Sequence, residues 1–254
     1  MSRPLPDAGH DPRFRRVGWR ARIGLITPFA GLAATADFHR VAPEGVALAL
    51  GHLARPLTHD TVAQLSEVGG QVAEAARRLA RVKADVILWN TTSGSLIKGP
   101  GYDQELIRIM EEASGTPSTT ASTVMIDAFR KVGAKRICLA TPYVDEVNEL
   151  EKQFIESHGF EVAQYRGLQV LDVREIVDLP AAELYRLARE VDVPEADCVF
   201  ISCAGLSVLG ILEVLEAELG KPVLSTNQVS LWGAFRMAGI TDSIRGFGTL
   251  LEGG

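Results

Sequence analysis

The chain has 254 residues, 46% of them hydrophobic and 23% charged, with a formal net charge of −6. That is enough apolar material for one large core or two small ones, and the negative balance argues against a general binder of nucleic acid or anionic membrane, since both reward clustered positive charge. Segment 1–20 holds no apolar run of signal-peptide length and no later stretch reaches the length of a membrane span, so a cytoplasmic protein acting on a small molecule is expected.

In chain order, an apolar run at Arg22–Thr27 reads as a strand, Thr61–Val82 has helical period, and Val86–Trp89 reads as a second strand. A helix over Asp103–Ser114, a strand over Arg136–Thr141, helices over Asp145–His158 and Pro180–Val191, and a strand over Cys198–Ser202 follow. Short apolar strands separated by helices predict parallel sheets covered on both faces. Three pieces of the first half also recur in order in the second. "RIGLITP" at 22–28 matches "RICLATP" at 136–142, "ADVILWNTTSG" at 84–94 matches "ADCVFISCAG" at 196–205, and "GTPSTTASTVMIDAFRKVG" at 115–133 matches "GKPVLSTNQVSLWGAFRMAG" at 220–239. The expected fold is therefore α/β, with two pseudo-symmetric Rossmann-like lobes, each a parallel sheet of about four strands flanked by helices. The first lobe is assigned to 20–118 plus 222–254 and the second to 119–221, with 1–19 as an N-terminal extension.

Paired α/β lobes bind ligands where the carboxyl ends of their strands face each other, because loops there present unpaired backbone N–H groups. This places the loops after 28, 91, 142 and 203 around one interlobe cleft. The three cysteines, Cys138, Cys198 and Cys203, lack the paired spacing of a zinc site or a redox motif, so neither disulfides nor structural metal are expected. Cys138 and Cys198 sit inside strand runs and read as buried structural thiols. Cys203 stands at a strand's carboxyl end before a helix-like run, where amides and a helix dipole would lower its pKa. Under the repeat its mate is Thr91.

The run Thr91-Thr92-Ser93-Gly94-Ser95 reads either as an oxyanion cradle or as an N-cap. Tyr143, Thr119, Thr120 and Ser122, and Thr226, Asn227 and Gln228, are further donors for the same cleft. Asn148 and Arg55 are additional candidates, whereas Asp145 and Glu146 read as first-turn helix charges. No phosphate-binding glycine motif follows a strand, and His10, His39, His52, His59 and His158 have no ligand spacing, so no nucleotide cofactor and no metal are expected.

With these residues in place, the chain resembles the aspartate/glutamate racemase superfamily, and within it arylmalonate decarboxylase and the maleate cis–trans isomerases. The likeness runs from about residue 22 to 245 through "IGLITPFAGL", "TTSGSLIKG", "GTPSTTAS", "LATPYVDEVNE", "ISCAGL" and "GKPVLSTNQVSLW". In two-cysteine members a thiol stands on each side of the substrate. Here one is Cys203 and the other position is Thr91, whose hydroxyl cannot exchange a proton with a carbon acid near neutral pH. The resemblance implies a cofactor-free decarboxylase of a substituted malonate. One carboxylate would be held by Thr92, Ser93, Tyr143 and the amides of Cys203 and Ala204, and the other would lie against Pro28, Ala54, Leu57, Val173 and Ile176. Cys203 would protonate the enediolate. The alternatives are a racemase or cis–trans isomerase of a dicarboxylate or amino-acid derivative, kept open by the polar Arg55 and Asn227, and a non-catalytic carboxylate-binding protein. The partner is a small carboxylate, not nucleic acid or membrane, and the chain is a monomer or a homo-oligomer.

Overall fold

In the computed structural model, which describes residues 15–28 and 31–253, the β–α alternation becomes two four-stranded parallel sheets. The first contains β1 (Ala21–Thr27), β2 (Val46–His52), β3 (Val86–Trp89) and β4 (Ser118–Thr120) in the spatial order β2-β1-β3-β4. The second contains β5 (Arg136–Thr141), β6 (Glu161–Gly167), β7 (Cys198–Ile201) and β8 (Val223–Ser225) in the order β6-β5-β7-β8, the same topology four strands later. Around the first sheet run α1 (Leu32–Val41), α2 (Val62–Val68), α3 (Val72–Arg81), α4 (Thr92–Leu96), α5 (Tyr102–Ser114) and α6 (Ala121–Lys131). The second half adds α7 (Asp145–Ser157), α8 (Val173–Val177), α9 (Ala181–Val191), α10 (Leu212–Leu219), α11 (Thr226–Met237) and α12 (Thr249–Glu252). No helix among the described residues is long and apolar enough to cross a membrane.

The recurrence in the sequence is a recurrence of hydrogen bonds. At the start of each lobe an aspartate clamps two strands. Asp85 N–H donates to the Arg22 carbonyl while Arg22 N–H donates to Asp85 Oδ2, and Asp197 does the same with Arg136. At the carboxyl ends, Asn90 N–H donates to Ile26 O and Ser202 N–H to Ala140 O, both at 2.9 Å. A glutamate closes each short last strand, Glu111 accepting from Ser118 N–H and Glu216 from Val223 N–H, both at 3.1 Å. Thr120 and Ser225 then cap the helices that follow. These pairs fix equivalent loops at equivalent places on the two sheets.

Three details differ from the expectation. The helical stretch 61–82 is broken into α2 and α3 by a tighter turn at Gly69–Gln71. A Cβ on Gly69 would lie 2.0 Å from the Tyr102 hydroxyl, so a glycine is required where α5 passes. The strand Val223–Ser225 pairs with β7 in the second sheet, and it is the following helix, α11, that packs against α1 and β3. The chain thus returns to the first lobe after Ser225 rather than at 222. Of segment 1–19, residues 1–14, with His10, lie outside the described residues. Trp19 packs on Gly45, whose Cβ would meet the indole at 2.4 Å, and Arg20 pairs with Asp242 at 2.5 Å, so the residues just before β1 are tied to the segment that leads into α12.

Candidate active site

The carboxyl ends of β1, β3, β5 and β7 bring the four expected loops to one seam between the sheets. The contact is polar and buried. Thr226, first residue of α11, places its hydroxyl 2.8 Å from Thr92 Oγ1 and accepts the Cys203 backbone N–H at 3.0 Å, so one oxygen touches both the 91–95 turn and the cysteine loop. Beside it, Asn227 accepts from Asn90 Nδ2 at 3.1 Å and donates to Asp37 Oδ2, Ala204 O and Leu206 O. Ser230 Oγ donates to Asn90 Oδ1 at 2.7 Å. Because buried polar groups left unpaired cost about 1–3 kcal/mol each, this network holds the two loops in one register.

Cys203 is 5% exposed and its backbone φ is +131°, in the region that favours glycine. Its neighbours correct the sequence reading on two points. No helix begins beside it: residues 204–205 form a turn, a tight helical turn follows at Leu209–Ile211, and α10 begins only at Leu212. The pKa of the thiol is accordingly pushed well up rather than down, first by burial and then by the charge of Asp60, and only partly offset by Gly205 N–H, which donates to Sγ at 3.4 Å, and by the Tyr143 hydroxyl. The sulfur is held as a thiol. Second, the Cys203 amide is already given to Thr226, so it is not a free donor for a ligand, whereas the Ala204 amide has no acceptor among the described residues.

Tyr143 faces the cysteine from the β5 end. It is 1% exposed, and its hydroxyl has both the Cys203 thiol and the Ser93 hydroxyl beside it, the latter from the other lobe. Burial raises its pKa well above that of a free phenol. Asn148 holds the tyrosine in place: it accepts from Thr141 Oγ1 at 2.5 Å and donates to the Tyr143 carbonyl at 3.1 Å, while Tyr143 N–H donates to Thr141 Oγ1. Asn148 therefore orients the turn, and Asn227 does the same for the cysteine loop.

Thr91 is buried, its Oγ1 has no hydrogen-bond partner among the described residues, and its methyl occupies the space a Cβ on Gly94 would need, at 2.7 Å. Thr92, Ser93 and Gly94 open the short α4, whose first amides have no intrahelical acceptor. Pro28, Leu57, Val173 and Ile176 are all buried. Leu57 N–H donates to Pro28 O, and the segment after it crosses to the second lobe, where Val173 N–H donates to Thr58 O and Asp60 N–H to Leu171 O. A cleft of about 500 Å³ lies along this crossing, lined by Leu57, Thr58, His59, Asp172, Val173 and Arg174. Arg55 and Ala54, by contrast, are exposed. Arg55 is held through its backbone by Gln71. Thr120, Ser122 and Gln228 serve as helix-start groups rather than cleft donors.

Two buried acids were missed by the sequence reasoning. Asp60, 3% exposed at the crossing segment, acts electrostatically on both Cys203 and Tyr143, and burial alone raises its pKa to about 7. Glu151 on α7, fully buried with the Ser202 hydroxyl beside it, is likewise raised to about 7. Behind the seam, Asp37 is raised by burial to about 6 despite its bond from Asn227. Glu151 lies at a position where the helical period of 145–158 brings Val147, Phe154 and Ile155 inward, and that periodicity is the one trace by which it was legible.

The chain as a whole has counterparts among known proteins. A family model described as arylmalonate decarboxylase matches residues 23–251. The chain is 32% identical to the arylmalonate decarboxylase of Bordetella bronchiseptica over 91% of this chain and 96% of that protein. It is 25% identical to the maleate isomerase of Nocardia farcinica over 91% and 95%. A crystal structure of a liganded double mutant of arylmalonate decarboxylase superposes with a TM-score of 0.86 at 32% identity, covering 92% of this chain and all of that one.

Proposed function

Because the chain belongs to the arylmalonate decarboxylase family, we propose that it is a cofactor-independent, cytoplasmic decarboxylase of a substituted malonate that works with a single sulfur, Cys203. The observation that carries this reading is the convergence of the Cys203 loop, buried Tyr143 and the 91–95 turn on one seam between the lobes, where the Thr226 hydroxyl joins Thr92 to the Cys203 amide. Ser93, Tyr143, the Ala204 amide and the first amides of α4 would hold one carboxylate. The second would lie against Leu57, Val173, Ile176 and Pro28, where poor solvation raises the energy of the charged ground state. Breaking the bond to that carboxylate releases CO2 and sends the electron pair into the retained carboxylate as an enediolate. The Cys203 S–H then gives its proton to the α-carbon, and the thiolate regains one from solvent. A thiol kept protonated by burial suits an acid better than a nucleophile.

A second reading, isomerisation of a dicarboxylate, is supported by the like coverage of a maleate isomerase and by the polar Asp60 beside the thiol. Products separate the two. CO2 release from a panel of α-substituted malonates, phenylmalonate among them, abolished by Cys203→Ser, is expected. Maleate converted to fumarate with no CO2 from any malonate would replace the first reading by the second. Full turnover in Cys203→Ser would remove both.

A further inference from the structure

Asp60 is a carboxyl in the wrong place for stability. It is 3% exposed, its side chain has no hydrogen-bond partner among the described residues, and no cation among them offsets its burial. Its neighbours are accounted for elsewhere. His59 is exposed, with Nδ1 on Thr58 Oγ1, Asp172 is paired with Arg174, and the other groups in its field, Cys203, Tyr143 and beyond them Glu151, are all acids. A buried carboxyl without a partner costs several kcal/mol, and an apolar residue would continue the wall formed by Leu57 three positions earlier and by Val173 across the seam. Glu151 is sealed at 0% exposure behind Ser202, whereas Asp60 retains 3% exposure and directly follows Leu57, Thr58 and His59, which line the cleft.

We propose that Asp60 sets substrate specificity by accepting a hydrogen bond from a donor on the α-substituent of the malonate, so that the preferred substrates carry an ammonium or hydroxyl group there rather than an aryl ring. This rests on the decarboxylase reading and deepens it. The hydroxyls of Ser93 and Tyr143 and the free amides supply donors for a carboxylate, and Asp60 supplies a strong acceptor that a zwitterionic or hydroxylated acid still needs. A site built around such a bond rejects analogues that lack the donor, because the protein's own polar group is then left buried and unpaired. Its raised pKa fits a carboxyl that is waiting for that partner.

The test uses aminomalonate, hydroxymalonate and phenylmalonate with the full chain, in its native form and as Asp60→Val, Asp60→Asn and Cys203→Ser. The native protein should favour the first two over phenylmalonate by at least ten-fold in kcat/KM. Asp60→Val should lose that preference or reverse it, with CO2 release still dependent on Cys203, and Asp60→Asn, which keeps an acceptor oxygen, should retain part of the preference for hydroxymalonate. Calorimetric affinities on Cys203→Ser read the same order without turnover. Cys203-dependent CO2 release with phenylmalonate preferred, or a preference unmoved by Asp60→Val, would overturn the assignment of Asp60 while leaving the decarboxylase reading intact. No binding of any of the three at pH 6 would overturn both.

Discussion

The backbone at Cys203 can be tested apart from any chemistry. Its φ of +131° lies where a side chain is strained by roughly 1–3 kcal/mol, and a glycine there removes the strain. At an ordinary buried position Ala→Gly costs about 0.5–1 kcal/mol in chain entropy and about 0.8 kcal/mol for the lost buried carbon. Ala140, fully buried in β5 next to the cysteine loop, is such a position. Cys203→Ala and Cys203→Gly both remove the sulfur and its bond from Gly205, so the difference between them isolates the Cβ. Relative to the Ala140→Gly penalty, that difference should be more favourable to glycine by roughly 1–3 kcal/mol. Urea unfolding monitored by circular dichroism measures it, and a melting shift of about 2–4 °C per kcal/mol should accompany it. If Cys203→Gly falls below Cys203→Ala by as much as Ala140→Gly falls below the native protein, the cysteine is not held under strain and the account of its loop is wrong.

The buried acids give stability a pH dependence of known sign. Glu151 and Asp60 titrate near 7 and Asp37 near 6 when folded, above their unfolded values, so their contribution is full below about pH 4 and is lost as pH rises through 6–7. The melting temperature should therefore fall from pH 5 to pH 8, and Glu151→Gln should remove about 2–3 kcal/mol of that fall; an unchanged slope would show that Glu151 titrates normally. Gly94→Ala, which would ordinarily favour a helix, should destabilise by about 1–3 kcal/mol because its Cβ meets the Thr91 methyl at 2.7 Å, and Thr91→Ser in the same chain should restore most of the loss. Thr91→Cys, which breaks no hydrogen bond to the described residues because Thr91 Oγ1 makes none among them, should place a second thiol in the site and let a chiral α-substituted acid exchange its α-hydrogen with deuterium oxide. A folded variant with no exchange would mean that positions 91 and 203 do not face a common carbon.

The four central strands were legible because they are buried on both faces and so read as continuous apolar runs. The outer strands β2 and β6 are half exposed, and β4 and β8 have three residues each, so neither length nor period marked them. Cys203, Thr91, Tyr143 and the wall residues were legible through the repeat and the family likeness. What the sequence concealed depends on long-range geometry. The apolar run after Cys203 has a helical look, yet Gly205 turns to bond the sulfur. The cysteine amide is spent on a threonine 23 positions later. Asp60, next to the helix cap Thr61, looks like an ordinary exposed acid until the second lobe covers it through Leu171 and Val173.

The two lobes share their clamps, their strand order and the amide that anchors each key loop, so the places where they part company mark where the two walls of the cleft differ in chemistry. After Asn90 the chain takes an extended step at Thr91, φ −149°, and enters α4 at once. After Ser202 it takes the strained step at Cys203 and enters a turn. One lobe thus presents hydroxyls and amides at a helix start, suited to holding a carboxylate, and the other presents a protonated sulfur with no helix dipole to ionise it. A pair of like groups would move a proton from one side of a carbon to the other. On the decarboxylase reading proposed here, this unlike pair would hold an anion on one side and deliver a proton from the other, which is the asymmetry that loss of CO2 followed by protonation on one face requires.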